Sequence, residues 1–443
     1  MFRLEEEINN WKVYLAKRES LGPEDICELE DHLRSQIEDL INSGLDEEEA
    51  YLVAIKRIGA LDKISGEFEK YRIRQYWKQL IADKTSTGKI MLLSALVCAS
   101  WIISRIFVLI EGPGQNLEFS YLINICFIIF PSIYAYYFFT AKPGITKLII
   151  PAGAFFAGFV FLKFLPFKQA SDTLNMAAAH LPLLLWVCAG YIIQGKEWSN
   201  AEGKINHFRL SGEVFIYGVL IGLGFGVLYG TTSLILDPAD IKLSNILLNE
   251  FIIPLAIFGT PVLAAGLASL KKSVIDNFAP LLAKIFAPLF ICVLLIFIGA
   301  VIIQGKKLLV NREFLISYDA VMILVTAMVI FIISSRGAPG RLIFTDYAAL
   351  ALMGTAIISD IIALSAVISR LISYGMSVNK VTMLGVNILL LANLAFLIYA
   401  YIAVLLKKKS ERYLDTVQAV FVYIYSGWFA LVIFIFPFVF NFK

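Results

Sequence analysis

The sequence predicts an all-α protein in two parts: an N-terminal bundle of three to four short helices, then a polytopic membrane domain of about eleven helical spans. Three observations predict it. Of the 443 residues, 59% are hydrophobic and only 16% charged, and the mean hydropathy is +0.76. Soluble chains carry about 45–50% apolar and about 25% charged residues, so the excess calls for a bilayer as a second apolar solvent. The charges crowd residues 1–89 and then thin abruptly. The apolar residues change pattern at the same place, from helical three- and four-residue spacing to long unbroken runs. The expected domains are therefore 1–80, soluble and helical, and 81–443, transmembrane.

The same composition excludes several function classes. A net charge of +3 is too small for a nucleic-acid partner. Cys27, Cys98, Cys126, Cys188 and Cys292 have neither metal-ligand nor redox spacing. Four of them lie in apolar runs, where cysteine behaves as a small hydrophobe. His32, His180 and His207 are far apart, so no metal and no cofactor are expected. The first residues are highly charged, unlike a cleavable signal, and the first apolar run is expected to act as an uncleaved insertion signal.

In the head, Leu4, Ile8, Trp11 and Leu15 place one apolar face on a helix over about 2–18. Pro23 suits a first helical position, and Glu24 and Asp25 favour the positive end of the helix dipole. The second stripe is Ile26, Leu29, Leu33, Ile37 and Leu40, stopped by Asn42-Ser43-Gly44. Asp46 caps a third helix whose buried face is read as Leu52, Ile55 and Ile58. A fourth is expected from about 62 into Tyr76-Trp77.

The segments Leu21-Gly22-Pro23-Glu24-Asp25, Glu28-Leu29-Glu30-Asp31-His32-Leu33, Ser43 to Ala50 and Ala54-Ile55-Lys56-Arg57-Ile58-Gly59 together resemble the permease-prefix (HAAS-like) domain. That resemblance covers about the first 70 residues. It implies a small cytosolic regulatory or adaptor module ahead of a bacterial membrane protein, with a cytosolic protein partner and no catalytic residues. The mixed charges on the polar faces also fit an ordinary solvated surface.

A span needs about 20 apolar residues to cross about 30 Å of hydrocarbon. Eleven candidates have approximate limits 90–109, 119–139, 145–165, 175–194, 214–235, 248–270, 281–304, 316–334, 346–369, 381–406 and 417–440. The fourth is the weakest, interrupted by His180 and Pro182. With the N-terminus inside, the inner loops hold more Lys and Arg than the outer ones, which is the sign the positive-inside rule requires. The expected placement is a bacterial cytoplasmic membrane with a cytosolic N-terminus and an external C-terminus.

Within the spans, Gly218, Gly222, Gly226 and Gly230 form a ladder of small residues on one helix face, suited to close helix packing or to a substrate path lined by bare backbone; a homo-oligomer is a separate expectation. Pro254, with Gly259-Thr260-Pro261, removes backbone donors and breaks or kinks the sixth span. Broken helices line many transporter sites. Asp360 is the most pointed residue. It lies nine residues from the expected outer end of its span, about 14 Å deep at 1.5 Å per residue. Asn387 and Asn393 on the next span are expected at hydrogen-bonding depth. Two roles fit Asp360: a proton- or ion-coupling carboxylate, or a structural interhelical hydrogen bond.

Asn311-Arg312-Glu313-Phe314-Leu315 and the run from Arg370 to Lys380, with Tyr374-Gly375 and Ser377-Val378-Asn379-Lys380, resemble a bacterial membrane family known as a domain of unknown function. Ser377 and Lys380 stand where that family usually has Thr and Arg. The resemblance spans roughly 210–440 and implies an all-helical polytopic fold with no activity attached. Arg312, Arg370, Tyr374 and Lys380 read as outer-loop contacts to lipid headgroups or phosphates.

Nucleotide-loop, serine-elbow and zinc-protease motifs are absent from the sequence. ATP-powered work would therefore need another subunit, and no catalytic residue is assigned. Three readings follow. The first is a transporter-like permease with a cytosolic regulatory prefix. The second is a sensor or scaffold that docks a cytosolic partner. The third, ranked last, is an enzyme acting on lipid-linked substrates.

Overall fold

The computed structural model describes residues 4–16, 23–58, 84–111, 117–168, 171–236, 247–270, 275–305, 312–334, 344–406, 408–410 and 412–443. Among them are fifteen α-helices and no strand, so the protein is all-α. It divides into two compact units, Met1–Gly88 and Lys89–Lys443.

In the first unit, α1 (Leu4–Ala16), α2 (Pro23–Asn42) and α3 (Glu47–Ile58) pack around Ile8, Trp11, Leu33, Ile37, Leu40, Ala50, Tyr51 and Ala54. Gly44, with φ +97°, supplies the left-handed turn that ends α2. Asp46 and Glu49 then form a reciprocal cap: the Glu49 amide donates to Asp46 Oδ1 at 2.7 Å. The buried face of α3 differs from the expected one at one position: Ile55 packs against this core, and the Ile58 side chain lies outside the described residues. Leu52 is 60% exposed, while Ala50, Tyr51 and Ala54 turn inward. Two alanines let α3 approach its neighbours closely, and the Tyr51 hydroxyl donates to the Glu7 carbonyl at 3.1 Å. The expected fourth helix lies outside the described residues.

An ionic clasp joins α1 to α2. Arg34 donates in a fork to both oxygens of Glu5, at 2.7 and 2.9 Å, and its Nε reaches Glu30 at 3.0 Å. Lys12 also pairs with Glu30. The Arg34 bonds hold the Glu5 carboxyl below the usual glutamate range, and the Lys12 bond does most of the same for Glu30. A lowered folded-state pKa contributes stability that is complete above the unfolded value of about 4.3 and is lost as pH falls through the folded value. The expected result is faster hydrogen exchange in α1 and α2 of the full-length protein below that pH, after correction for intrinsic rates. Glu5→Gln should remove part of the acid response. An unchanged acid profile in that variant would count against the clasp.

In the second unit, eleven helices among the described residues are long and apolar enough to cross a membrane. The chain is a multi-pass membrane protein. Its spans begin with α4 (Lys84–Glu111), α5 (Leu117–Ala141), α6 (Ile149–Phe164), α7 (Asp172–Ile193) and α8 (Ala201–Leu236). After α9 (Thr260–Leu270) come α10 (Ile275–Gln304), α11 (Arg312–Ser334), α12 (Phe344–Tyr374), α13 (Val378–Leu405) and α14 (Arg412–Phe434). A short α15 (Phe436–Val439) follows. One apolar cluster gathers α4 to α7 and α9 around Phe127, Tyr134, Leu181, Leu185 and Phe258. Another gathers α10 to α14 around Leu294, Met322, Leu352, Leu394 and Tyr401.

Four local expectations meet a more specific outcome. The fourth span is one continuous helix that tolerates Pro182, and His180 Nδ1 lies 2.8 Å from the Met176 carbonyl. The fifth span is longer than expected, because α8 begins at Ala201. The sixth span is widened rather than broken. Two π-helical stretches, Leu247–Ile252 and Leu255–Gly259, flank Pro254, and α-geometry resumes at Thr260 before Pro261. A π-turn absorbs the missing donor and ring clash of a proline without unwinding the chain. Among the described residues the glycine ladder packs on almost nothing. Positions 222, 226 and 230 have open space where a Cβ would stand, and only Ala264, 4.0 Å away, approaches Gly218.

Candidate functional site

Two cavities define the two ends of the membrane unit. The larger, about 510 Å³, is lined by Lys89 near the start of α4, Ala141 at the end of α5 and Gln194 just past α7. Arg209 and Glu213 of α8 and Ser269 of α9 complete its polar wall. The smaller, about 210 Å³, meets the other end of α7 at Asp172, with Leu315, Arg370, Ser377, Asn379 and Lys380. Because α7 touches one cavity at each end, they mark opposite faces. The first is named face I and the second face II.

At face II the outer-loop residues largely converge. Lys380 donates to the carbonyls of Tyr374 and Gly375 at 3.1 and 2.8 Å, closing the C-terminus of α12. Gly375, φ +72°, makes the turn. Arg370 and Lys380 both lie near the Tyr374 ring, at 5.9 and 5.7 Å from its centre. The side chain of Arg312 lies outside the described residues.

Between the faces, α11, α12 and α13 enclose a polar cluster. Asp360 falls on the buried stripe of α12, in register with Met353, Ala356, Ala363 and Val367. Helical spacing therefore points it at its neighbours and away from lipid. It is fully buried, and neither carboxylate oxygen has a hydrogen-bond partner. It stands fourteen residues from Tyr374 at the face II end, about 21 Å along the helix. The expected bonds from the asparagines are not made. Asn387 donates to Asp319 Oδ1 at 3.2 Å, and Asn393 donates to the Tyr425 hydroxyl at 2.8 Å. Both amides are drawn to acceptors on helices other than α12.

Asp319 is the residue that sequence reasoning missed. Half-buried on α11, which packs against α12 and α13, it accepts the Asn387 bond. The Tyr318 ring is held by stacking on Phe297 at 4.2 Å. Its hydroxyl and the Asn387 carbonyl oxygen are buried without partners. Unpartnered polar groups of this kind are costly in low dielectric, and an acid among them is a candidate to carry a proton or meet a cation.

A second ionic pair was also missed. Arg105 of α4 pairs with Glu250 of the π-helical stretch and donates to the Tyr121 hydroxyl at 3.1 Å. Trp101 Nε1 donates to the Glu250 carbonyl at 2.8 Å and its ring stacks on Phe251. Here each charge has its counter-ion, so the pair reads as a fastener. No group of three or more metal-ligating His, Cys, Asp or Glu residues occurs among the described residues.

No family model, curated protein or solved structure matches this chain.

Proposed function

We propose that the protein is a permease-like transporter of the bacterial cytoplasmic membrane, with residues 1–80 as a cytosolic regulatory or adaptor prefix. One observation carries the reading: Asp360 is fully buried among apolar spans with neither carboxylate oxygen partnered among the described residues, and a second acid, Asp319, is half-buried on the helix packed beside it. Intramembrane acids of this kind are expensive, and ion or proton coupling is the common return on that cost. The amphoteric cavity at face I, with Lys89, Arg209 and Glu213 in its wall, supports it as a polar vestibule. The Lys and Arg bias of the loops favours face I as cytosolic. Eleven crossings then put the C-terminus outside. The resemblance of the head to permease-prefix domains supports a cytosolic protein partner there.

The test uses the full-length protein in liposomes on a solid-supported membrane, challenged with amino acids, sugars and nucleosides under imposed Na⁺ and H⁺ gradients. A solute-dependent current that Asp360→Asn abolishes is expected. A folded protein that moves charge with none of these solutes would overturn the transporter reading. Co-purification of a stable cytosolic regulator in that case would favour the sensor or scaffold.

A further inference from the structure

We propose that the face I cavity is a binding site for a small zwitterion: a compound with an ammonium group and an anionic group a few atoms apart, as in a neutral amino acid or a phosphoethanolamine headgroup. As a substrate class this rests on the transporter reading above; as a binding site it stands on the cavity alone.

The depth of the cavity follows from α8. That helix has 36 residues, about 54 Å at 1.5 Å per residue, whereas the hydrocarbon layer needs only about 30 Å. Its uncharged stretch, residues 214–236, is long enough to fill that layer. The charged part before it carries Asn206, Arg209 and Glu213 at three- and four-residue spacing on one face. This part therefore lies in the headgroup layer of face I. Charges interact more strongly there than in bulk water, and both dissolved solutes and lipid headgroups are at hand.

The walls are fixed without a ligand. At the turn between α7 and α8, the Trp198 ring fills the notch left by Gly190, and the Gly203 backbone lies against the Glu197 carbonyl. Lys204 donates to the carbonyls of Trp198, Ser199 and Asn200 at 2.9, 3.4 and 3.3 Å. These contacts hold Glu197 on the rim. On another wall, the Tyr137 hydroxyl donates to the Ala265 carbonyl at 2.7 Å and Ser269 donates to the Tyr136 hydroxyl at 3.1 Å, locking α5 to α9. Arg209 is anchored through its Nε, which donates to the Ser334 carbonyl at 2.8 Å. A guanidinium has five N–H donors, so the anchor leaves others for a ligand.

The fixed wall presents both signs of charge. Lys89 and Arg209 are the cations, Glu197 and Glu213 the carboxylates, and Gln194 and Asn206 add neutral amides that donate and accept. Among the described residues, the side chains of Lys89, Gln194, Glu197 and Asn206 have no hydrogen-bond or ion-pair partner. A lone anion would meet two carboxylates, and a lone cation would meet Lys89 and Arg209. A zwitterion makes charge-assisted bonds to both kinds at once. The volume of about 510 Å³ is that of a small-molecule site.

The test is isothermal titration calorimetry of the purified full-length protein in a non-ionic detergent. The titrants are glycerophosphoethanolamine, the neutral L-amino acids one at a time, and the single-charge controls ethanolamine, acetate and glycerol 3-phosphate. Saturable binding of at least one zwitterion, near one per chain, is expected, with the controls at least tenfold weaker. The zwitterion that binds names the source: glycerophosphoethanolamine a lipid headgroup, an amino acid a dissolved solute. Lys89→Gln and Glu197→Gln should each weaken binding about tenfold. Neither side chain has a structural partner to lose among the described residues. No saturable binding of any zwitterion by the folded wild-type protein would overturn the proposal. So would a single-charge control that binds as tightly, or undiminished binding in a folded Lys89→Gln, Glu197→Gln double variant. Zwitterion binding by a protein that moves no solute would leave this site standing and remove the transporter reading. Transport of a sugar or nucleoside without zwitterion binding would do the reverse.

Discussion

Gly385→Leu is expected to be among the most damaging single changes in the membrane domain. Gly385 on α13 faces the ring of Trp428 on α14, which occupies the space a Cβ would need. Even one added methyl must displace a large rigid ring. Overpacking of this kind costs about 1–3 kcal/mol per site, and a branched four-carbon side chain belongs at the top of that range or above. The contact also sets the spacing at which Asn393 reaches Tyr425. A fall of several degrees in apparent unfolding temperature is expected in detergent, with a red-shifted Trp428 emission. Gly385→Ala should lie between the wild type and the leucine variant. A Gly385→Leu protein with unaltered thermal stability would show that α13 and α14 do not pack as described.

The next largest effect is expected at Arg105. In Arg105→Ala the Glu250 carboxylate keeps its place beside α4 and loses its counter-ion. Removing one member of a charged pair costs more than the pair contributes, because the survivor remains desolvated. The Glu250 side chain is 42% exposed, so a loss of about 1–2 kcal/mol is appropriate. Arg105→Lys should be intermediate, since lysine keeps the charge without the guanidinium fork. The informative comparison is the Arg105→Ala, Glu250→Ala double variant. It should recover part of the loss, and the coupling energy from the double-mutant cycle should be positive and near the single-variant cost. Strict additivity of the two changes would mean that the ion pair fastens nothing.

How far the fold was legible depended on how local each signal was. Long apolar runs announce spans, and all eleven candidates correspond to helices of suitable length and composition. Asp360 was visible because a lone acid in a long apolar run has no other explanation. Asp319 was hidden by its neighbours: Arg312 and Glu313 stand a few residues earlier, and together they read as the polar end of a span. Counting its depth from Glu313 could have found it. Arg105 was concealed in the same way near the end of α4. The vestibule at face I had no signal, because its wall comes from helix ends remote in sequence. In the head, Leu52 was assigned inward by hydrophobicity, but close approach favoured the two small alanines on the neighbouring face. The π-helical widening around Pro254 follows from proline's missing donor, yet the sequence alone did not distinguish a widened helix from a severed one.

The Lys380 clasp also has a mechanical meaning. By binding the last carbonyls of α12, it stiffens the three-residue link, residues 375–377, between that helix and α13. The two helices are thereby joined as one hairpin with its turn fixed at face II. Asp360 and Asn387 stand on its two arms. Asp319 stands on α11 outside it, so the 3.2 Å bond from Asn387 to Asp319 ties the hairpin to the neighbouring span.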